Sequence, residues 1–232
     1  MSYTILGKKL YFPPVSAADS HGIVAIGGDL DTERLLLAYH SGIFPWFSEG
    51  EPILWWSPNP RFVLYPSALR VSSSMKQLLK RNAFEVRTDS CFREVIGHCQ
   101  QIYRPGQGGT WITEEMLESY CELHGLGKAH SVEVFQEGVL VGGLYGVALG
   151  GIFFGESMFS RVSNASKYGF ILLVENLLAS GFELVDCQVH TNHLESLGAV
   201  HIKRDLFMGH LASFLTKTTS MEWGKPLFNG YL

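Results

Sequence analysis

The chain has 232 residues, 46% hydrophobic and 17% charged, against roughly 25% charged in an average globular protein. That composition can build a core, and it excludes intrinsic disorder, which needs low hydrophobicity and high charge. With 18 Lys and Arg against 22 Asp and Glu, the net charge of −4 excludes non-specific coating of nucleic acid, which rests on an excess of basic side chains.

Lys8 and Lys9 have no apolar run after them, and Pro13 and Pro14 follow, so no signal peptide is predicted. Asp31 is placed to cap a helix over Thr32–Tyr39, with Gly42 as its stop. Between Pro45 and Pro66 lie five of the nine prolines, among Trp46, Trp55 and Trp56. Proline limits regular helix and strand, so an ordered, aromatic-rich connector is expected there. A domain boundary falls near residues 60–65, dividing the chain into 1–62 and 63–232.

Beyond it, apolar spacing predicts helices over Ser74–Arg81, Asp89–Ile102 and Thr113–Leu126, with Glu114 and Glu115 forming an acidic first turn in the third. Ser131–Phe135 reads as a strand. Gly138–Gly155 is eighteen residues without a charge, which reaches the lower bound for a membrane span. Seven of the eighteen are Gly and no basic anchor flanks them. Val139–Val141 and Gly151–Phe154 therefore read as buried strands, separated by bulges or turns. A long apolar helix over Asn164–Ser180, a strand over Phe182–Val189 and a helix near residues 205–216 complete the chain. Alternating strands and helices predict an α/β or α+β layer. The four cysteines, at 91, 99, 121 and 187, have no paired spacing, which fits a reducing compartment.

Three polar features stand against this pattern. Residues 61–87 hold six basic side chains and one acidic one. Lys76 and Lys80 lie four apart on one helix face, a repulsion of a few tenths of a kcal/mol that an anionic partner would offset. A solvated helix face is the alternative. Glu156 lies inside Phe153-Phe154-Gly155-Glu156-Ser157-Met158-Phe159, where a carboxylate needs a partner or a task. A structural salt bridge is the alternative. Asp186 and Gln188 share one face of the strand Leu184–Val189, with Val185, Cys187 and Val189 on the other. An ordinary half-exposed strand is the alternative there. Cys187, His190 and His193 have a spacing reminiscent of metal ligation but no evident fourth ligand, so no metal is predicted. Ser157 lacks the second glycine of a nucleophile elbow.

Several rare words follow in order: Gly27-Gly28-Asp29-Leu30, Gly42-Ile43-Phe44-Pro45-Trp46-Phe47, Trp55-Trp56-Ser57-Pro58-Asn59-Pro60-Arg61 and Gly109-Thr110-Trp111-Ile112. Then come Ala129-His130-Ser131-Val132-Glu133, Gly155-Glu156-Ser157-Met158-Phe159-Ser160, Asn164-Ala165-Ser166-Lys167, Asp186-Cys187-Gln188 and His193-Leu194-Glu195-Ser196-Leu197-Gly198-Ala199. Over nearly its whole length the chain resembles the bacterial leucyl/phenylalanyl-tRNA–protein transferase family. The resemblance implies transfer of Leu or Phe, and less readily Met, from aminoacyl-tRNA to proteins beginning with Arg or Lys. The products are marked for degradation by the N-end rule pathway. It implies an α+β fold, with a small N-terminal α/β domain and a C-terminal domain similar to the GNAT superfamily of acyl-CoA N-acyltransferases. A cytoplasmic monomer without metal or other cofactor is implied, the aminoacyl ester being already activated.

The resemblance places Asp186, Gln188 and Glu156 in the catalytic centre. Gln188 then orients amine or ester and is held by Asp186, which is also a candidate proton acceptor, while Glu156 attracts the cationic acceptor terminus. Trp46 and Trp111 correspond to tryptophans around the 3′ adenosine and aminoacyl group. Tyr120, Leu144, Met158, Phe170, Leu173, Leu177 and Val185 would line or back the apolar pocket. Lys80 and Arg81 match a basic pair assigned to the acceptor stem, and Lys76 extends that stripe. Thr191 stands where the family usually has a polar amide, and Leu144 differs from its common pocket residue. Two rivals remain. A CoA-dependent acyltransferase would need a glycine-rich loop, and Ser160–Lys167 has no Gly. A non-catalytic adaptor for basic N-termini would not need the Asp186/Gln188 pair.

Overall fold

The computed structural model describes residues 3–102 and 112–232. Its elements in chain order begin with β1 (Thr4–Leu6), β2 (Ile23–Gly27), α1 (Thr32–His40), β3 (Phe44–Pro45), β4 (Leu54–Trp56) and β5 (Arg61–Leu64). There follow α2 (Ser73–Lys80), β6 (Glu85–Thr88), α3 (Phe92–Gln101), α4 (Glu114–Gly125), β7 (Ala129–Gln136), β8 (Val139–Leu149) and β9 (Ile152–Ser160). The last are α5 (Ala165–Ala179), β10 (Leu184–Gln188), α6 (Asn192–Ser196), β11 (Val200–Ile202) and α7 (Arg204–Phe214). The fold is mixed α and β. A four-stranded sheet has the order β1-β2-β4-β3, and a seven-stranded sheet the order β11-β5-β10-β9-β8-β7-β6. The larger sheet is antiparallel except where β9 meets β10.

Period-two alternation divides the buried side chains of the large sheet between two layers. Val132, Val134, Leu144 and Phe153 pack with α2 and α5, whereas Tyr145, Val147 and Phe154 pack with α3, α4 and the small sheet. Helix α5 is buried on most of its circumference, which is why its sequence is apolar all round. The same core that holds Tyr120 and Phe154 holds Leu35, Tyr39 and Trp55 from the first sixty residues. No helix among the described residues is long and apolar enough to cross a membrane.

The structure corrects the expected outline at four places. The uncharged Gly-rich run is not two short strands joined by turns within it. It is most of one eleven-residue strand, β8, a tight turn at Gly150 and Gly151, and the start of β9. Gly142 lies inside β8 because a Cβ there would come within 2.8 Å of the Ala165 Cβ at the start of α5. The proline-rich connector contains strands β4 and β5, its prolines lying at or beyond their ends or in the two-residue edge strand β3. Asp31 occupies the N-cap position without a side-chain cap, and it is Asp29 that accepts from Arg34 Nε and Nη2, each at 2.9 Å. Helix α3 starts at Phe92, not Asp89, because Asp89 has a left-handed φ of 56° and its carboxylate accepts from Ser131 N. Past α7, where no element is expected, the tail runs back over the sheet. Trp223 stacks on His130 at 4.0 Å and on Phe153 at 6.1 Å.

Candidate active site

A cavity of about 490 Å³ opens where the parallel strands β9 and β10 part. Their pairing stops at Asp186 opposite Phe154. Beyond it β9 continues against β8 through a register shift at Tyr145 and Gly146, while β10 shifts between Asp186 and Gln188. The two strand ends therefore present side chains to a shared gap instead of a closed ladder. Leu144, Phe153, Met158, Phe170 and Val185 give it apolar walls, and Glu156, Asp186 and Gln188 line it as polar groups.

Glu156 is the centre of the polar wall. Its Oε1 accepts from Tyr39 OH and from Gln188 Nε2, both at 2.8 Å, and its Oε2 accepts from Tyr120 OH at 3.1 Å. The two phenol oxygens also share a short hydrogen bond. Burial pushes Glu156 up to about 7, with the charge of Asp186 adding to the effect and the donors from Tyr39, Tyr120 and Gln188 opposing it. Burial and the neighbouring Glu156 charge hold both phenols well above the usual tyrosine value.

Asp186 is fully buried and bound differently. Its Oδ1 accepts from Arg61 Nε at 2.8 Å and its Oδ2 from Arg61 Nη2 at 2.6 Å. This fork is the bidentate geometry that fixes both partners. Oδ1 also accepts from the backbone N–H of Gln188 at 3.0 Å. Gln188 has a left-handed φ of 62°, a conformation costing roughly 1–2 kcal/mol for a residue with a Cβ. The Asp186 carboxylate holds it there. Strand alternation alone would place Asp186 and Gln188 on one face. The register shift changes the route, and both still line the cavity.

Trp46 lines the cavity beside the Trp56 ring, 5.6 Å away, and Trp56 Nε1 donates to Trp46 O at 2.6 Å. Trp111 lies outside the described residues. Of the seven pocket candidates, Leu144, Met158, Phe170 and Val185 line the cavity. Tyr120 stands behind Glu156, and Leu173 and Leu177 are buried in the core with α5. Lys76 and Lys80 are exposed on α2, and Arg81 is its exposed C-cap. Cys187 is buried, His190 contacts Glu195 at 3.2 Å, and His193 lines the cavity. They do not converge. Among the described residues the one group close enough to hold a metal ion is Asp89, His124 and His130. There His130 Nδ1 already contacts Asp89 Oδ2 at 2.8 Å, and His124 Nδ1 contacts Ala129 O at 2.9 Å. Within Ser160–Lys167, Ser166 N donates to Ser160 Oγ at 3.2 Å.

Sequence reading missed Arg61, Tyr39 and Phe153. The available signals were a lone Arg directly before Phe62-Val63-Leu64 and a Tyr on the apolar side of α1.

Comparison with known proteins shows the family. Residues 28–59 match the family described as leucyl/phenylalanyl-tRNA protein transferase N-terminal domain, and residues 63–212 match leucyl/phenylalanyl-tRNA protein transferase. A leucyl/phenylalanyl-tRNA–protein transferase of Flavobacterium johnsoniae is 60% identical over 208 residues, covering 90% of this chain and 98% of the relative. Its counterpart in Syntrophus aciditrophicus is 56% identical over 214 residues, covering 92% and 90%. A GCN5-related N-acetyltransferase-like protein from Streptococcus suis is similar at 17% identity and a TM-score of 0.35, over 62% of this chain and 60% of that one. Two adjoining family matches and relatives this similar over nearly full length lead to one conclusion: the chain belongs to the leucyl/phenylalanyl-tRNA–protein transferase family, enzymes that move Leu or Phe from aminoacyl-tRNA onto N-terminal Arg or Lys of proteins.

Proposed function

We propose that the cavity takes the aminoacyl 3′ end of Leu-tRNA or Phe-tRNA, and that Glu156 accepts the proton released when an acceptor's α-amine attacks the ester. The observation that carries this reading is Glu156 itself, a carboxylate in an apolar cavity raised to about 7, where a proton acceptor works best near neutral pH. The neutral amine nitrogen attacks the ester carbonyl carbon, and a C–N bond forms. The amine proton passes to Glu156. The bond from carbonyl carbon to ribose oxygen then breaks, and that oxygen takes the same proton back from Glu156, which returns to its starting state. The products are a lengthened peptide and a tRNA with a free 3′ terminus. An α-amine with a reference value of ~8 is easily made neutral, so positioning supplies much of the rate.

In this reading Asp186 braces and Gln188 orients. Both Asp186 oxygens are engaged by Arg61, which moves the proton-accepting role from Asp186 to Glu156. Gln188 fixes Glu156 through one amide hydrogen and presents its oxygen to the incoming amine. Trp46 and Trp111 stack on the 3′ adenosine, each such contact being worth ~1–3 kcal/mol. Leu144, Met158, Phe170 and Val185 receive the Leu or Phe side chain, with Tyr120, Leu173 and Leu177 behind them. Lys76, Lys80 and Arg81 meet the acceptor stem. The remaining acidity suits a cationic acceptor terminus. A cytoplasmic monomer of two domains belongs to the proposal, the two-domain part supported by the two separate sheets. Their division is best drawn in the turn at residues 57–60, since β5 is already part of the larger sheet.

Incubation with labelled Leu-tRNA and a peptide beginning with Arg tests the reading. Label in the peptide is the expected result. Binding without transfer would favour the adaptor, and acetyl transfer from acetyl-CoA would favour the acyl-CoA enzyme.

A further inference from the structure

We infer that Arg61 is a positioning residue for the transfer reaction: its guanidinium fork holds the Asp186 carboxylate, which in turn fixes the left-handed turn at Gln188 and so the place of the Gln188 amide beside Glu156. The inference rests on the reading of Glu156 as proton acceptor. It assigns work to the last residue of the word Trp55-Trp56-Ser57-Pro58-Asn59-Pro60-Arg61.

Arg61 is 1% exposed. It lies between the rings of Phe44 and Phe207, at 4.7 and 4.5 Å from their centroids, and Nη1 reaches toward Gly42 O at 3.3 Å. A planar cation between two faces has one way to present its fork. That fork meets Asp186 through Nε and Nη2. The same Oδ1 that accepts from Arg61 Nε accepts from Gln188 N, and Gln188 Nε2 donates to Glu156 Oε1. One connected line therefore runs from β5 through β10 to β9. A Lys in place of Arg61 would keep the charge but not the two-point grip.

The test compares wild type, Arg61→Lys and the double variant Arg61→Met/Asp186→Leu, which removes the buried pair together. Leu-tRNA and an Arg-peptide are the substrates, with kcat and KM as readouts. In Arg61→Lys the expected result is kcat lowered about tenfold or more with KM for Leu-tRNA within about twofold. The double variant is expected to fold and to show the same low kcat. Arg61→Lys with kcat within about twofold of wild type overturns the brace, as does a folded double variant with wild-type kcat. Loss confined to KM overturns it too. Wild-type protein that transfers no leucine would instead overturn the reading of function on which the inference rests.

Discussion

Glu156 is a costly residue to fold. Its carboxyl is raised from the usual carboxylate value to about 7, chiefly by burial. The folded state then binds a proton more tightly than the unfolded chain. Stability is therefore full below the unfolded value near 4.5 and falls as pH rises, until about pH 7 is passed. A shift of this size corresponds to roughly 3 kcal/mol. Glu156→Gln removes the titration and keeps an acceptor for Tyr39 or Tyr120. Single-turnover transfer is expected to drop by about 10²–10⁴. The thermal midpoint at pH 8 is expected to rise relative to wild type, with little change at pH 5, and calorimetry at both values checks it. Specificity is also a matter of single residues. Leu144 is buried in the cavity wall, so Leu144→Ala is expected to raise the Phe-to-Leu ratio of kcat/KM by about tenfold or more. Competition between the two charged tRNAs measures it.

At the level of elements, the seat of α5 decides the shape of the cavity. Ser166 and Phe170 reach the cavity from this helix, and Ala165 abuts Gly142 of β8. Gly142→Val pushes a side chain into that contact, with an expected destabilisation of about 1–3 kcal/mol in urea unfolding. KM for Leu-tRNA should rise with it, since Phe170 moves with the helix. The same glycine explains what the sequence withholds. Helices with regular apolar spacing, such as α2 and α4, were legible to within a residue or two. The run around Gly142 and Gly146 was not, because glycine ordinarily reads as punctuation, whereas here it makes room for packing. Glu156 was legible as a carboxylate in the wrong company. Its rise to about 7 was not, for that comes from burial by segments distant in sequence, among them α1 and α4, which bring Tyr39 and Tyr120 against it. Asp186 was legible, but its partner was not. A single Arg before a strand gives no sign of a carboxylate 125 positions later.

Across the whole molecule, two polymers of opposite local demand meet one protein of net charge −4. The basic side chains of residues 61–87 are not spread evenly in space. Arg61 is consumed inside the site, while Lys76, Lys80 and Arg81 stand exposed. Substituting these three by Ala is expected to weaken tRNA binding and to flatten its dependence on salt by up to ~0.7–0.9 for each phosphate left without its cation. Transfer from a short aminoacyl-adenosine fragment should stay within about twofold of wild type. An unchanged salt slope would remove the stripe from the tRNA path.

The pairing of Arg61 with Asp186 also sets an order of events on the ribosome. Strand β5 lies between β10 and β11, both made more than a hundred residues later. At ~5–20 residues per second, Arg61 emerges ~6–25 s before the carboxylate that neutralises it. Its cation stays in water through that interval, and so does the edge of its strand. The large sheet closes only after β10 and β11 have been made. The reaction centre cannot come together until β10 brings Asp186 and Gln188 to Arg61.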